Sequence, residues 1–306
     1  MKKILFISCV NVGYVILKSI INWPKTHLEV MTLTEKQASE WNVSGYYDFS
    51  SLCKTHHINC HYPNAFSLKD YEDLKFFRKN RFDLLIVAGW QRLIPDSILN
   101  TLTVGAIGIH GSSKKLPKGR GRSPINWSII EGSRKYFVHV FLMDPGVDSG
   151  PVLGIYEFEI TPFDTCDSLY KKVTIASKRI ILNTLDEILN GTATFTKQKG
   201  KPTFYPKRTP EDGRLNFKQP TELVYNFIRA ITKPYPGAFC YLGEEKIFIW
   251  KAIPFGRGID YPKFKPGTIC EVFQDRTFLV KTDDGTLLVL NYEPDGINIQ
   301  PGFQLK

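Results

Sequence analysis

Short, wholly apolar runs alternate along the first two thirds of this chain with longer segments in which apolar residues recur every three or four positions. That alternation predicts strands joined by crossover helices, an α/β sheet. Residues 3–10 read as a first buried strand, with Gly13 in the turn that follows and Val15, Ile16, Ile20 and Ile21 marking one face of a helix. Residues 27–33 read as a second strand and 68–80 as a helix. Residues 83–88 are apolar almost throughout, as expected of a strand buried on both faces at the centre of a sheet. A short helix is predicted over 92–101, a strand over 104–110, a helix over 124–132 entered through Pro124 and closed by Gly132, and strands over 135–143 and 152–160. Residues 167–190 form a long amphipathic helix. Asp167 is its expected N-cap, Leu169, Val173, Ile180, Leu185 and Ile188 its stripe, and Gly191 its stop.

The pattern then changes. Residues 200–213 are rich in Pro, Lys and Arg and read as a linker, followed by one helix over 221–232. Beyond Pro234-Tyr235-Pro236-Gly237 only short alternating runs remain: 238–242, 246–252, 267–273, 277–282 and 287–292, with Asp283-Asp284-Gly285 as a hairpin turn. The expected organisation is an α/β domain with a Rossmann-like, mostly parallel sheet over 1–199, a linker over 200–217, and a C-terminal domain over 218–306. That last domain is read as one helix and a small, mostly-β, barrel-like (OB-like) fold. The all-β part is also the expected surface for homodimer formation.

Composition narrows the class. The chain has 306 residues, enough for two domains, and 42% hydrophobic content, ordinary for a globular core. No apolar run approaches the length of a membrane span. The lysines at the start precede an apolar run that is too short for a signal peptide and is interrupted by Asn11. The six cysteines, Cys9, Cys53, Cys60, Cys166, Cys240 and Cys270, are scattered without a CxxC pair or metal spacing. They read as reduced thiols of a cytoplasmic protein without a bound metal.

The net charge of +10 raises a nucleic-acid reading, and its distribution tempers it. Residues 201–306 carry 15 Lys and Arg against 12 Asp and Glu, so most of the excess lies earlier. Part of it is concentrated between Lys114 and Arg122. A local basic loop suits a small anionic ligand at least as well as a long phosphate backbone.

Candidate chemistry converges on that loop. His110 ends a strand and enters a Gly/Ser loop, and Asp148 sits in a tight turn after a later strand, flanked by Gly146 and Gly150. An imidazole and an orienting carboxylate delivered from separate parts of a sheet form a general acid–base pair. Each alone would read as a structural His or a turn Asp. Their combination around the basic loop gives the functional reading its weight.

The residues Ile109-His110-Gly111-Ser112, Leu116-Pro117, Gly119-Arg120-Gly121, Pro124, Trp127, Gly132, Met143-Asp144 and Gly146-Val147-Asp148-Ser149-Gly150 resemble the signature of folate-dependent formyltransferases. The resemblance continues through Arg208-Thr209-Pro210-Glu211-Asp212-Gly213-Arg214-Leu215-Asn216-Phe217, Ile228-Arg229-Ala230 and Tyr235-Pro236-Gly237-Ala238, which are similar to the linker and C-terminal domain of methionyl-tRNA formyltransferase and its sugar-modifying relatives. It implies transfer of a formyl group from the co-substrate 10-formyltetrahydrofolate to a primary amine, with His110 and Asp148 in the catalytic positions. The family usually carries an Asn two residues before the His, as a donor to the oxyanion. Gly108 stands there and offers no side-chain donor, so a water, a backbone N–H or His110 would have to supply the bond. The same resemblance implies folate contacts from Gly89, Trp90, Gln91, Arg92, Leu93, Asp144, Val147 and Asp148.

Residues 34–48 contain one Lys, two Glu and one Asp, where tRNA-modifying members usually have a basic insertion. The acceptor is therefore expected to be the amine of a nucleotide-linked dideoxy amino sugar destined for a surface polysaccharide or glycan, without nucleic-acid or membrane partners. Lys118, Arg120, Lys207 and Arg208 are candidate cations for its diphosphate, Tyr205 and Trp90 candidate stacking faces, and Gly13 and Ser112 further substrate candidates. Methionyl-tRNA formyltransferase and a catalytically silent folate- or RNA-binding relative are the alternatives.

Overall fold

The computed structural model describes residues 1–256, 258–259 and 261–306. Its first sheet contains β1 (Lys2–Ile7), β2 (Thr26–Met31), β3 (Cys60–His61), β4 (Leu84–Val87), β5 (Gly105–Ser112), β7 (Lys135–Leu142) and β8 (Val152–Glu159), in the order β3-β2-β1-β4-β5-β7-β8. The first five are parallel neighbours, and β7 runs antiparallel to β5. β4 lies at the centre with every residue buried, as its apolar run requires. The strand order reverses between β1 and β4, and in such sheets ligands usually bind beside that reversal, at the carboxyl ends of the strands.

Helices α1 (Asn11–Ile20), α2 (Glu35–Glu40), α3 (Ser50–Thr55), α4 (Tyr71–Asn80), α5 (Asp96–Leu99), α6 (Pro124–Ile130), α7 (Cys166–Asn190) and α8 (Thr221–Ile231) complete the main elements. Two-residue strands lie at β6 (Arg120–Gly121) and β9 (Phe204–Tyr205). The chain groups into two compact units. One comprises Met1–Gly121, Lys135–Phe158 and Tyr170–Phe204, the other Arg122–Arg134, Glu159–Leu169 and Tyr205–Lys306.

In the first unit, α1 begins earlier than expected. Gly13 is a buried helical residue rather than a turn residue. A β-carbon there would lie 1.9 Å from Ser8 Oγ and 2.8 Å from Ala88 O, so the glycine lets the helix approach the ends of β1 and β4. The buried face is Gly13, Ile16, Leu17 and Ile20, with i, i+3, i+4, i+7 spacing. The helix expected over 92–101 shrinks to α5 because Pro95 disfavours helical backbone in the residue before it. The stripe of α7 is buried as expected, and Ile180 packs so closely on β8 that a β-carbon on Gly154 would lie 2.7 Å from it. Asp167 is inside the first turn of α7 and is not its cap. Thr165 takes that role, its hydroxyl accepting from Ser168 N at 3.3 Å while Ser168 Oγ accepts from Thr165 N at 2.9 Å. Gly191 stops the helix with φ +73. Helices α2 and α3 and strand β3 were not expected. They are too short for periodicity to reveal, although the reciprocal Thr34/Gln37 capping box marks α2.

In the second unit, β10 (Ala238–Leu242), β11 (Glu245–Gly256), β12 (Ile269–Val272), β13 (Phe278–Lys281) and β14 (Thr286–Glu293) form an antiparallel sheet in the order β10-β11-β14-β13-β12. The expected hairpin links β13 to β14, and its Asp284 carboxylate accepts from Thr221 N at 2.8 Å, at the start of α8. The last residues bridge both sheet edges. Tyr241 and Lys306 exchange N–H···O bonds of 2.8 Å, while Ile269 N donates to Phe303 O at 2.8 Å and Leu305 N to Gly267 O at 2.9 Å. The sheet thus closes into a barrel without an open edge there. Arg229 of α8 is buried, and burial holds its guanidinium below the usual arginine range. It remains satisfied, donating to Asn226 Oδ1 at 2.8 Å and to the carbonyls of Asp164 at 2.5 Å and Thr161 at 3.3 Å.

Candidate active site

β5 delivers His110 close to the carboxyl end of the sheet, and the turn after β7 brings Asp148 to it. His110 Nδ1 lies 3.3 Å from Asp148 Oδ2, with the imidazole 6% and the carboxylate 21% exposed. The same Oδ2 accepts from Gly121 N at 3.1 Å, which fixes the carboxylate to the basic loop. The other ring nitrogen, Nε2, faces Gly119 O at 2.8 Å. Both nitrogens therefore meet oxygen acceptors. A neutral ring can donate to only one of them, and an imidazolium to both. A proton held at Nε2 is directed at Gly119 O while Asp148 steadies Nδ1, so the ring can hold and orient a proton between two fixed acceptors.

The structure also brings together residues that were not singled out from the sequence. His139 stands directly opposite His110 in the β5/β7 ladder, so the two side chains share one face of the sheet. It is fully buried, and burial pushes its imidazole down to about 4, with the facing His110 adding to the effect. Its Nε2 accepts from Leu116 N at 3.3 Å, at the start of the basic loop. Nδ1 then carries the ring proton, and it has no partner among the described residues. The signal in the sequence was a single ionisable residue inside the apolar run Tyr136-Phe137-Val138-His139-Val140-Phe141-Leu142.

Gly108 lies two residues before His110, on the same face, opposite Phe141. A β-carbon on residue 108 would sit 3.1 Å from both Phe141 Cζ and Met143 Cγ. The room an asparagine side chain would need is thus filled by an aromatic ring and a thioether. Ser112 is buried, its hydroxyl accepting from Lys114 N at 3.2 Å. Lys118 is exposed and Arg120 half-buried on the same loop.

At the carboxyl end of β4, Gly89 turns the chain with φ +87, where a β-carbon would meet Val10 Cγ2 at 2.3 Å. The Trp90 ring is buried edge-on against Phe66 at 4.8 Å. Phe66 stacks on Trp41 at 5.6 Å, and the Arg92 guanidinium lies 4.5 Å over Phe66. Trp90 Nε1 has no partner among the described residues. Gln91 Nε2 donates to Ser44 O at 2.8 Å, tying this loop to the segment after α2. Leu93 and Val147 are exposed apolar side chains. Asp144 turns its carboxylate inward, where Oδ1 accepts from Gly146 N at 3.1 Å and from the Ser149 hydroxyl.

Three expected substrate contacts belong to the second unit. Tyr205 stacks on Trp127 at 6.1 Å and donates to Glu131 Oε2 at 2.8 Å. The Arg208 guanidinium lies 5.0 Å over Trp127 and 5.2 Å over Phe227, and it donates to Asp212 O at 2.6 Å. Lys207 is exposed.

The family model described as formyl transferase matches residues 49–185, and that of the formyl transferase C-terminal domain matches residues 207–305. The chain is 34% identical over 272 residues to the bifunctional polymyxin resistance protein ArnA of Wigglesworthia glossinidia brevipalpis, covering 87% of this chain and 39% of that protein's length. It is 28% identical over 298 residues to methionyl-tRNA formyltransferase of Lactobacillus johnsonii, covering 97% of this chain and 92% of the relative. Among solved structures, the N-formyltransferase from Helicobacter canadensis in complex with folinic acid and dTDP-3-aminofucose matches with a TM-score of 0.68 at 18% identity, over 96% of this chain and all of that one, a likeness of fold. With a family model on each part and His110 and Asp148 paired at the carboxyl end of the sheet, this chain belongs to the formyltransferase family.

Proposed function

We propose that this protein transfers a formyl group from 10-formyltetrahydrofolate to the primary amine of a nucleotide-linked dideoxy amino sugar. The observation that carries the reading is the His110–Asp148 pair, 3.3 Å apart beside a basic loop. The amine nitrogen forms a bond to the formyl carbon. The tetrahedral centre collapses by breaking the bond from that carbon to the folate nitrogen. The attacking nitrogen must lose a proton and the departing one must gain one. His110, steadied by Asp148, can carry that proton once a substrate replaces Gly119 O at Nε2. The backbone from Gly89 to Leu93, with the apolar side chains of Leu93 and Val147, would take the pterin. Trp90 would act through its main chain, since its ring is packed in the core. Lys118 and Arg120 would meet the diphosphate, with Ser112 and Gly13 supporting the pocket walls rather than touching substrate.

The structurally similar Helicobacter canadensis enzyme, solved with dTDP-3-aminofucose, supports an amino-sugar acceptor. So does the segment before α3, where Lys36, the one lysine of residues 34–48, is 3.8 Å from Glu40. That segment presents little cationic surface to a tRNA.

Methionyl-tRNA formyltransferase is the second reading, favoured by a relative matched almost end to end. A turnover panel decides between them. The protein is incubated with 10-formyltetrahydrofolate and either amino-sugar nucleotides or methionyl initiator tRNA, and the N-formyl product is read by mass spectrometry. Formylation of a sugar nucleotide alone supports the proposal, and formylation of the tRNA alone replaces it. Folate binding without product from any amine would mark a silent relative, for which Gly108 is the motive.

A further inference from the structure

The segment after α7 folds back across the site. Thr196 and Val152 exchange N–H···O bonds of 2.8 Å, which anchors the segment on β8. Two residues later the Gln198 carboxamide uses both of its ends. Its Nε2 donates to Asp148 O at 2.8 Å and to Gly150 O at 2.7 Å, and its Oε1 accepts from Arg120 Nη2 at 2.6 Å. Thr203 then accepts from Gly119 N through its hydroxyl at 2.9 Å and from Arg120 N through its carbonyl at 2.9 Å. One stretch of chain thus holds both neighbours of the His110 ring: Asp148 on the Nδ1 side and the loop bearing Gly119 on the Nε2 side.

Asp148 gains from such support. Its φ is +48, a left-handed backbone that is uncommon outside glycine, although Asp is one of the more tolerant residues. The two hydrogens of the Gln198 amide lie on the carbonyl of Asp148 itself and on that of Gly150, two residues on. A carboxylate or an aliphatic side chain at 198 could not make those bonds.

We propose that Gln198 is a positioning residue for formyl transfer. Its amide holds the Asp148 turn in the conformation that faces His110, and its carbonyl couples that turn to Arg120 of the basic loop. The inference rests on the functional reading above. The test uses the full chain and the variants Gln198→Ala and Gln198→Glu. Glutamate keeps an acceptor for Arg120 but, when ionised, has no donor for the two carbonyls, and its protonated form regains one. Expected at neutral pH is a fall in kcat of about 10²-fold in both variants, the scale of a misplaced catalytic group, with KM for 10-formyltetrahydrofolate nearly unchanged. The kcat of Gln198→Glu relative to wild type should recover as the pH falls into the carboxylate range, and that of Gln198→Ala should not. Wild-type kcat in either variant, or a loss without acid recovery in the glutamate form, overturns the proposal. If the wild-type protein itself formylates no amine, the functional reading fails and nuclear magnetic resonance still decides this one. The His110 Nδ1–H signal, protected by Asp148, should be present in wild type and lost in Gln198→Ala, and its retention would overturn the assignment.

Discussion

Gly108 stands opposite Phe141 in the β5/β7 ladder, and the Phe141 ring tip lies 3.1 Å from the position of a β-carbon on residue 108. The missing asparagine is therefore matched by a bulky partner rather than by an empty space. Gly108→Asn alone would have to displace Phe141 and Met143, and overpacking of this kind costs about 1–3 kcal/mol. The backbone is no obstacle, because Gly108 is not among the positive-φ residues. The single variant should lower the melting temperature without raising kcat. Gly108→Asn combined with Phe141→Val should restore stability and raise kcat above either single variant. Equal kcat in the double variant and in Phe141→Val would show that an amide at 108 adds nothing to this site.

The His110–Asp148 pair predicts a different pattern. His110→Ala and Asp148→Asn should each lower kcat by about 10²–10⁴-fold, the usual contribution of a positioned acid or base. Asp148→Asn keeps a side chain of the same size in the turn and should keep the melting temperature within a few degrees. Near-normal turnover in either variant would remove the pair from the chemistry.

Much of this arrangement was readable in the sequence because it is local. The apolar run of β4, the Gly191 stop of α7 and the turn at Asp283-Asp284-Gly285 depend on neighbouring residues, and each appears where the pattern placed it. Residue type suggested His110 and Asp148 as a pair, and the fold places them 3.3 Å apart. What the pattern missed is set by contacts far apart in the chain. Gly13 reads as a turn residue until Ser8 and Ala88 are seen to press against it. His139 becomes part of the site only through antiparallel register, and nothing local announces that Phe141 fills the space beside Gly108. The capping of α7 by Thr165 rather than Asp167 is a shift of two residues, within the usual uncertainty of helix ends.

His139 makes a prediction about pH. Burial holds its folded value down to about 4 against an ordinary 6.5. Between those values the unfolded chain binds a proton that the folded protein refuses, so stability falls as the pH drops from 6.5 toward 4. Above that window this residue contributes no slope. The full effect is on the order of 3 kcal/mol. Glu29 acts lower. Although burial opposes it, hydrogen bonds and charge from Lys3 and His61 hold its carboxyl below the usual value, so its contribution is lost only under more acid conditions. Urea unfolding of wild type and His139→Gln between pH 7 and 5 isolates the histidine (~6.5 being its ordinary value). Glutamine can still accept from Leu116 N but does not titrate, so the variant should show a much shallower slope. Parallel curves would place the pH dependence elsewhere.

The closed barrel predicts where the second unit is most vulnerable. Leu305 is buried, and its N–H bonds to Gly267 O while its neighbours pair with Tyr241 and Ile269. The final residues thus serve as the strand that joins β10 to β12. Leu305→Asp puts an unpaired charge into that seam and should cost about 3 kcal/mol or more. It should also free the edges of β10 and β12, whose unpaired backbone groups invite association with other chains. Phe303→Ser, at a partly exposed position on the same segment, should be far milder because the backbone bonds that close the barrel remain. Hydrogen exchange distinguishes the outcomes. Amides of Tyr241, Ile269 and Lys306 should lose protection in Leu305→Asp and keep it in Phe303→Ser, while those of the central strand β4 remain protected in both. Unchanged protection at Tyr241 and Ile269 in Leu305→Asp would show that the barrel holds its two edges together without this strand.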